Sequence, residues 1–177
     1  MSKKVLFILM PKLFQDYEFN EPYELLKKNG YDVTIAGLGP GTAVGAFGLR
    51  IEPDVQLDAL SPDNLSVYSA LIIPGGSGST KYLWNNSLVQ KIVRYFHEHD
   101  KIVAAICYGV IALVQSDILK NQKATVYPTD EAKNILQKHH VTFVDDGVVV
   151  LSSEKIITAQ GPTFAKDFAQ ALIEILA

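Results

Sequence analysis

The sequence predicts an α/β fold: a mostly parallel sheet with helices on both faces, in three layers. Three observations predict it. Short β-branched apolar runs alternate with longer amphipathic runs along the chain, the pattern of repeated strand–crossover–strand units. The apolar runs are continuous, as in Val5-Leu6-Phe7-Ile8-Leu9-Met10, which marks strands covered on both faces. One such run, Ile102 to Ile106, stops at Cys107-Tyr108-Gly109 and passes into the helix-like Val110 to Gln115. That is the shape of a nucleophile elbow, a strand-to-helix turn that lifts one side chain out of the sheet.

The elements follow in order. After the first strand, Asn20 to Lys28 reads as a helix. Asn20 is a good N-cap, Pro22 is tolerated in a first turn, and Leu25 and Leu26 supply the apolar stripe. Asn29-Gly30 ends it, with the glycine suited to a left-handed cap. Asp32 to Ala36 is the second strand. Gly37 to Gly48 then carries five glycines among twelve residues. It reads as a turn or small hairpin beside the main sheet. As a phosphate cradle it lacks both the dinucleotide spacing and the P-loop Lys-Ser/Thr pair.

Ala70 to Ile73 is the third strand, stopped by Pro74-Gly75-Gly76. Leu88 to His97 is a helix with Val89, Ile92, Val93 and Phe96 on one face. Beyond the elbow, Lys123 to Tyr127 reads as a short strand and Asp130 to Lys138 as a helix. Val141 to Val144, Val148 to Leu151 and Lys155 to Thr158 are strands, the first two flanking the turn Asp145-Asp146-Gly147. Phe164 to Leu176 closes the chain as an amphipathic helix. Right-handed crossovers join the parallel strands.

A chain of 177 residues, 48 % of them hydrophobic, suits a single domain over 1–177 with a sizeable core. The formal net charge is -3 and neither terminus carries a run of like charge. Electrostatic partners such as nucleic acid or an anionic membrane are therefore not expected. Val5 to Met10 is too short for a signal-peptide core with its cleavage site, or for a membrane span. The lone Cys107 makes no internal disulfide, so a reducing cytoplasm is the expected compartment.

In an open parallel sheet, ligands bind beyond the carboxyl ends of the strands, near the switch in strand order. Pro11 to Glu18, Gly75-Gly76 and Cys107 all follow such ends. Cys107 has two readings. A lone cysteine is commonly a small buried apolar residue. A cysteine between a buried strand and a helix start, by contrast, meets backbone N–H groups and the helix dipole. A thiol with pKa about 8.5 is only a few per cent thiolate at neutral pH, and a drop of roughly two units reverses that. The context favours the reactive reading and predicts a depressed thiol pKa. Glu18 also has two readings: an exposed acid favoured by a helix N-terminus, or a group at the site. Asp16 is the nearest competing acid. Tyr82 and Trp84 either wall a pocket or pack a short helix on the sheet. His97, His99, His139 and His140 read as solvated helix-end residues, and no tetrahedral metal spacing is present.

Taken together, Ala104-Ala105-Ile106-Cys107 followed by Gly109, Ile73-Pro74-Gly75-Gly76, Glu18 four residues before Pro22 and twelve before Gly30, and Gly161-Pro162 before the last helix resemble the ThiJ/PfpI superfamily, also called the DJ-one family. The resemblance spans essentially the whole chain. It implies a flavodoxin-like, glutamine-amidotransferase-like three-layer fold. It implies that Cys107 is the reactive thiol and Glu18 a carboxyl group hydrogen-bonded to the sulfur. The backbone N–H groups of Gly76 and Tyr108 would form an oxyanion-hole-like pocket, with Gly75, Tyr127, Gly161 and Pro162 around it. An ionised carboxylate beside the sulfur raises the thiol pKa, whereas a protonated one donates a hydrogen bond and lowers it. Glu18 is therefore expected to carry a raised pKa and to titrate with Cys107 as a coupled pair.

The chain also departs from that family. Tyr108 stands where protease-like members place a histidine, and Tyr127, before Pro128, stands where other members supply one. No Cys–His pair is apparent. Tyrosine, with pKa about 10, is a poor base at neutral pH. The resemblance thus implies cofactor-free thiol chemistry on a small reactive carbonyl or similar electrophile, of the glyoxalase, deglycase or hydratase type. An oxidant-sensing or protective protein is the alternative reading, and a PfpI-type cysteine peptidase or amidase is the one the missing histidine weakens. A homodimer is the expected assembly, and no cofactor is implied.

Overall fold

The computed structural model describes residues 3–177; Met1 and Ser2, the first two positions of the expected 1–177 unit, lie outside the described residues. In chain order the elements are β1 (Lys4–Leu9), β2 (Lys12–Phe14), α1 (Asp16–Lys28), β3 (Asp32–Gly37), β4 (Ala43–Gly45), β5 (Arg50–Ile51), β6 (Val55–Gln56), α2 (Pro62–Ser66), β7 (Tyr68–Ile73), α3 (Ser79–Tyr82), α4 (Ser87–Glu98) and β8 (Ile102–Ile106). There follow α5 (Val110–Gln115), β9 (Lys123–Ala124), α6 (Asp130–Lys138), β10 (Thr142–Phe143), β11 (Val148–Leu151), β12 (Ile156–Ala159) and α7 (Ala165–Leu176).

The main sheet has seven strands in the order β11-β12-β8-β7-β1-β3-β6. All neighbours are parallel except the edge pair β11–β12. Counted as β1, β3, β7, β8 and β12, the main parallel strands run in the flavodoxin-like order, with the switch between β1 and β7. Because crossovers keep one hand, the direction reversal at the switch places α1 and α4 on opposite faces. α1 packs against α7, while α4 packs against α5 and α5 against α6. Between the layers, Leu6, Phe7, Leu71, Ile72, Val103 and Ala104 are fully buried, which is why these strands are apolar without alternation.

Two elements differ most from the expectation, and the Val141–Val144 strand shortens to Thr142–Phe143. α1 begins at Asp16, one turn before Asn20, because the Gln15 side chain accepts from the Tyr17 and Glu18 N–H groups at 2.6 and 3.2 Å. Asn20 is thus an exposed interior residue, Pro22 lies inside the helix, and Glu18 becomes part of its first turn. The Lys123–Tyr127 strand shortens to Lys123–Ala124, paired only with β10. Beyond it the Thr125 N–H donates to the Thr158 hydroxyl at 3.1 Å instead of joining a ladder. The glycine-rich segment forms a small hairpin, β4–β5, which pairs with β2 beside the main sheet. Among the described residues no helix is long and apolar enough to cross a membrane.

Candidate functional site

The elbow forms where β8 runs out. Ile106 is still extended, at φ -133° and ψ 147°. Cys107 then turns to φ 59°, a left-handed conformation that costs a non-glycine residue about 1–2 kcal/mol. A tight turn over Cys107–Gly109 leads directly into α5. The neighbouring strand end must come very close for this to pack. A Cβ on Gly75 would lie 2.7 Å from the Ile106 carbonyl oxygen and 2.8 Å from the Cys107 Cβ, so only glycine fits there. Cys107 is left 6 % exposed.

Glu18 arrives from the first turn of α1, on the β1 side of the switch. It is wholly buried. Its Oε2 accepts the Gly75 N–H at 2.8 Å, and the carboxyl group also interacts with the Cys107 thiol. Oε1 has no partner that completes a well-formed hydrogen bond. Burial disfavours the ionised form and pushes Glu18 up to about 7, against the opposing pull of the Gly75 N–H and the Cys107 side chain. The raised carboxyl pKa expected from the sequence is therefore present.

The thiol behaves differently from the expectation. Burial pushes Cys107 up, and an ionised Glu18 beside it pushes the same way; the Tyr108 and Gly76 N–H groups, both directed at the sulfur, pull it down. The helix start alone does not depress this thiol, because the elbow lies below the protein surface and next to an acid. The two groups act as one titrating unit. Its first proton leaves near pH 7, and the second is held far more tightly.

The remaining predicted residues surround the elbow at the same end of the sheet. Gly75 and Gly76 end β7 on one side, and the Gly75 carbonyl accepts the Gln15 N–H at 2.8 Å. On the other side, β12 pairs Ala159 with Ile106, which carries Gly161 and Pro162 to the level of the elbow. The Tyr108 ring packs edge-on against Trp84 and Tyr127, with centroids 5.4 and 5.5 Å apart. The Trp84 indole N–H donates to the Tyr108 carbonyl at 3.0 Å. Trp84 thus reaches the elbow, whereas the Tyr82 carbonyl accepts from the Asn86 side chain.

Asp16 does not compete with Glu18. Its carboxylate accepts the Phe47 and Leu49 N–H groups at 2.9 and 2.8 Å, tying the β4–β5 hairpin to α1. The residue that sequence reasoning missed is Gln15. It caps α1 and anchors the Gly75 loop, so it sets the position of Glu18. Glutamine lies outside the usual capping set; the one available signal was its place three residues before Glu18.

The four histidines lie elsewhere. His97 and His99 end α4, the full length of β8 away from Cys107. His99 stacks on Tyr95, and His139, which caps α6, meets Asp117 at 3.3 Å. Among the described residues no cluster of three or more His, Cys, Asp or Glu side chains is assembled to hold a metal. A cleft of about 480 Å³ opens along Gly37–Gly41, Gln56–Asp58 and Asn86, outside the elbow. Among the described residues its only ionisable lining residue is Asp58, which opposes a phosphate there.

Comparison with known proteins places the chain in a family. The model of the DJ-1/PfpI family matches residues 3–175. The chain is 37 % identical to an uncharacterized protein of Methanocaldococcus jannaschii, over 99 % of this chain and 83 % of that one. It is 34 % identical to a deglycase of Pyrococcus horikoshii, over 83 % of this chain and 84 % of the relative. The crystal structure of Drosophila melanogaster DJ-1beta superposes with a TM-score of 0.86 at 30 % identity, covering 100 % of this chain and 91 % of that chain. The chain belongs to the DJ-1/PfpI family.

Proposed function

We propose that the protein is a cofactor-free thiol enzyme acting on small 2-oxoaldehydes, with Cys107 as nucleophile and Glu18 as its proton carrier. One observation carries this reading: a wholly buried carboxyl group, with its pKa raised to about 7, beside the elbow thiol. A general base or acid works best when its pKa lies near the working pH. The Pyrococcus relatives named as deglycases support carbonyl chemistry of this kind.

The reaction balances without an external oxidant. The sulfur adds to the aldehyde carbon, the thiol proton passes to ionised Glu18, and the carbonyl electron pair becomes an alkoxide. The Gly76 and Tyr108 N–H groups hold the negative charge, on sulfur first and on oxygen as it develops. Glu18 returns the proton to give a hemithioacetal. Glu18, ionised again, takes the C–H proton and returns it to the adjacent carbon while the hydroxyl proton passes to the former ketone oxygen, so the aldehyde carbon is oxidised as the ketone carbon is reduced. Water opens the resulting thioester, releasing a 2-hydroxy acid and the thiol. The expected setting is a cytoplasmic homodimer with a small-molecule substrate.

Conversion of methylglyoxal to lactate by the wild type and by Cys107→Ser tests the proposal. Turnover by the wild type alone is the expected result; equal rates, or none in either, would overturn it. A second reading, oxidant sensing, is favoured by the same two N–H groups aimed at the sulfur, which suit a sulfenate or sulfinate oxygen equally well. Intact mass after mild peroxide separates the two: added oxygen at Cys107 with no turnover selects the sensor. Peptidase or amidase action is disfavoured, because no histidine is placed at the elbow to protonate a leaving group.

A further inference from the structure

The side chains that would carry a histidine at this site are instead part of an aromatic row. It runs from the buried Trp84, 9 % exposed, through the half-buried Tyr108 to Tyr127, 44 % exposed. Each neighbour in the row meets Tyr108 close to edge-on, at 80° and 78°. The inner end is fixed by the Trp84 N–H bond to the Tyr108 carbonyl. The outer ring lies against bare backbone: a Cβ on Gly161 would come within 3.1 Å of the Tyr127 Cδ2. Gly161 therefore lets the ring lie down beside the elbow. Across the elbow, beside the Gly76–Gly78 loop, stands Leu13, 49 % exposed, whose carbonyl accepts the Gly78 N–H at 3.2 Å. Leu13 and Tyr127, one aliphatic and one aromatic, thus stand exposed on the two sides of the elbow, and neither carries a formal charge.

An accessible ring beside the elbow favours a substrate that presents flat apolar surface next to its electrophilic carbon. Aromatic rings pack edge-to-face or offset, and such pairs add to the gain from area burial alone. The Tyr127 ring touches that of Tyr108, the residue after Cys107, so it is the ring placed to meet an aryl group bonded to a dicarbonyl held at the thiol.

We propose, resting on the thiol chemistry above, that Tyr127 is a specificity-determining residue and that the site prefers carbonyl substrates bearing an aromatic substituent over those bearing a methyl group. The test uses alkylation, so that it needs no turnover. Cys107 displaces bromide from 2-bromoacetophenone or from bromoacetone: the S–C bond forms as the C–Br bond breaks, and the thiol proton passes to Glu18. Rates are divided by those of glutathione with the same reagents, which removes their intrinsic difference. The wild type is expected to favour the aryl reagent about tenfold beyond glutathione, the size of one good ring contact. Tyr127→Phe should keep that preference and Tyr127→Ala should lose it. A glutathione-like ratio in the wild type, or a ratio unchanged in Tyr127→Ala, would overturn the proposal. No alkylation of Cys107 by either reagent would instead overturn the reactive-thiol reading on which it rests.

Discussion

The Gly75 N–H donates to Glu18 Oε2 at 2.8 Å across the switch between β1 and β7. This bond fixes the carboxyl group of α1 against the loop that also packs on Cys107. It leaves the second oxygen, Oε1, without a well-formed partner. The proposed chemistry depends on this arrangement, because a carboxyl so buried exchanges its proton near neutrality.

Burying Glu18 lowers stability in a pH-dependent way. Its folded pKa of about 7 lies above its unfolded value of 4.5. Between those values the folded state keeps a proton that the unfolded state releases, so stability falls as pH rises through that window. Below it both states are protonated and nothing is lost. Above it the full cost, about 3 kcal/mol, is present. Glu18→Gln is therefore expected to be more stable than the wild type at pH 8 by up to about 3 kcal/mol, with the difference gone at pH 4. Urea unfolding at both pH values checks this; a difference that does not change with pH would contradict it.

Gly75→Ala is expected to displace the elbow. The new methyl group would lie 2.7 Å from the Ile106 carbonyl oxygen, and backbone on both sides leaves it no room. A loss of about 1–3 kcal/mol is expected, together with slower alkylation of Cys107 at every pH. Unfolding midpoints and alkylation rates on the same preparation check the pairing of the two effects.

Asp16 and Glu18 separate by role. Asp16→Ala removes the acceptor of two backbone N–H groups in the β4–β5 hairpin. The expected cost is about 2 kcal/mol of stability. The pH profile of Cys107 alkylation should stay as in the wild type. A shifted profile would show that Asp16 contributes to the site electrostatics.

Much of this was legible in the sequence. Continuous apolar runs and an abrupt stop at Cys107 specify a buried strand and its elbow, and β8 and α5 begin and end where the pattern changes. The direction of the Glu18 shift was expected from the resemblance, although burial supplies it and the thiol opposes it. The start of α1 was not legible, because a glutamine cap and an interior proline both run against local propensity, and tertiary contacts with the Gly75 loop decide it. Nor was the direction of the thiol shift. A helix start is visible in a sequence, but the depth at which it is buried is a property of the packed fold. The aromatic row is likewise a matter of packing: Trp84, Tyr108 and Tyr127 are far apart in the chain and meet only across the elbow.

The central claim is that Glu18 takes the proton that Cys107 gives up. The pH dependence of Cys107 alkylation in the wild type and in Glu18→Leu tests it most directly. The account predicts a wild-type rate that rises with an apparent pKa of about 7, the first titration of the pair. In Glu18→Leu the thiol titrates alone and burial dominates. The profile should then move above the ordinary thiol value of about 8.5, with the rate at pH 7 falling about tenfold or more. Superimposable profiles, with or without the carboxyl group, would contradict the account.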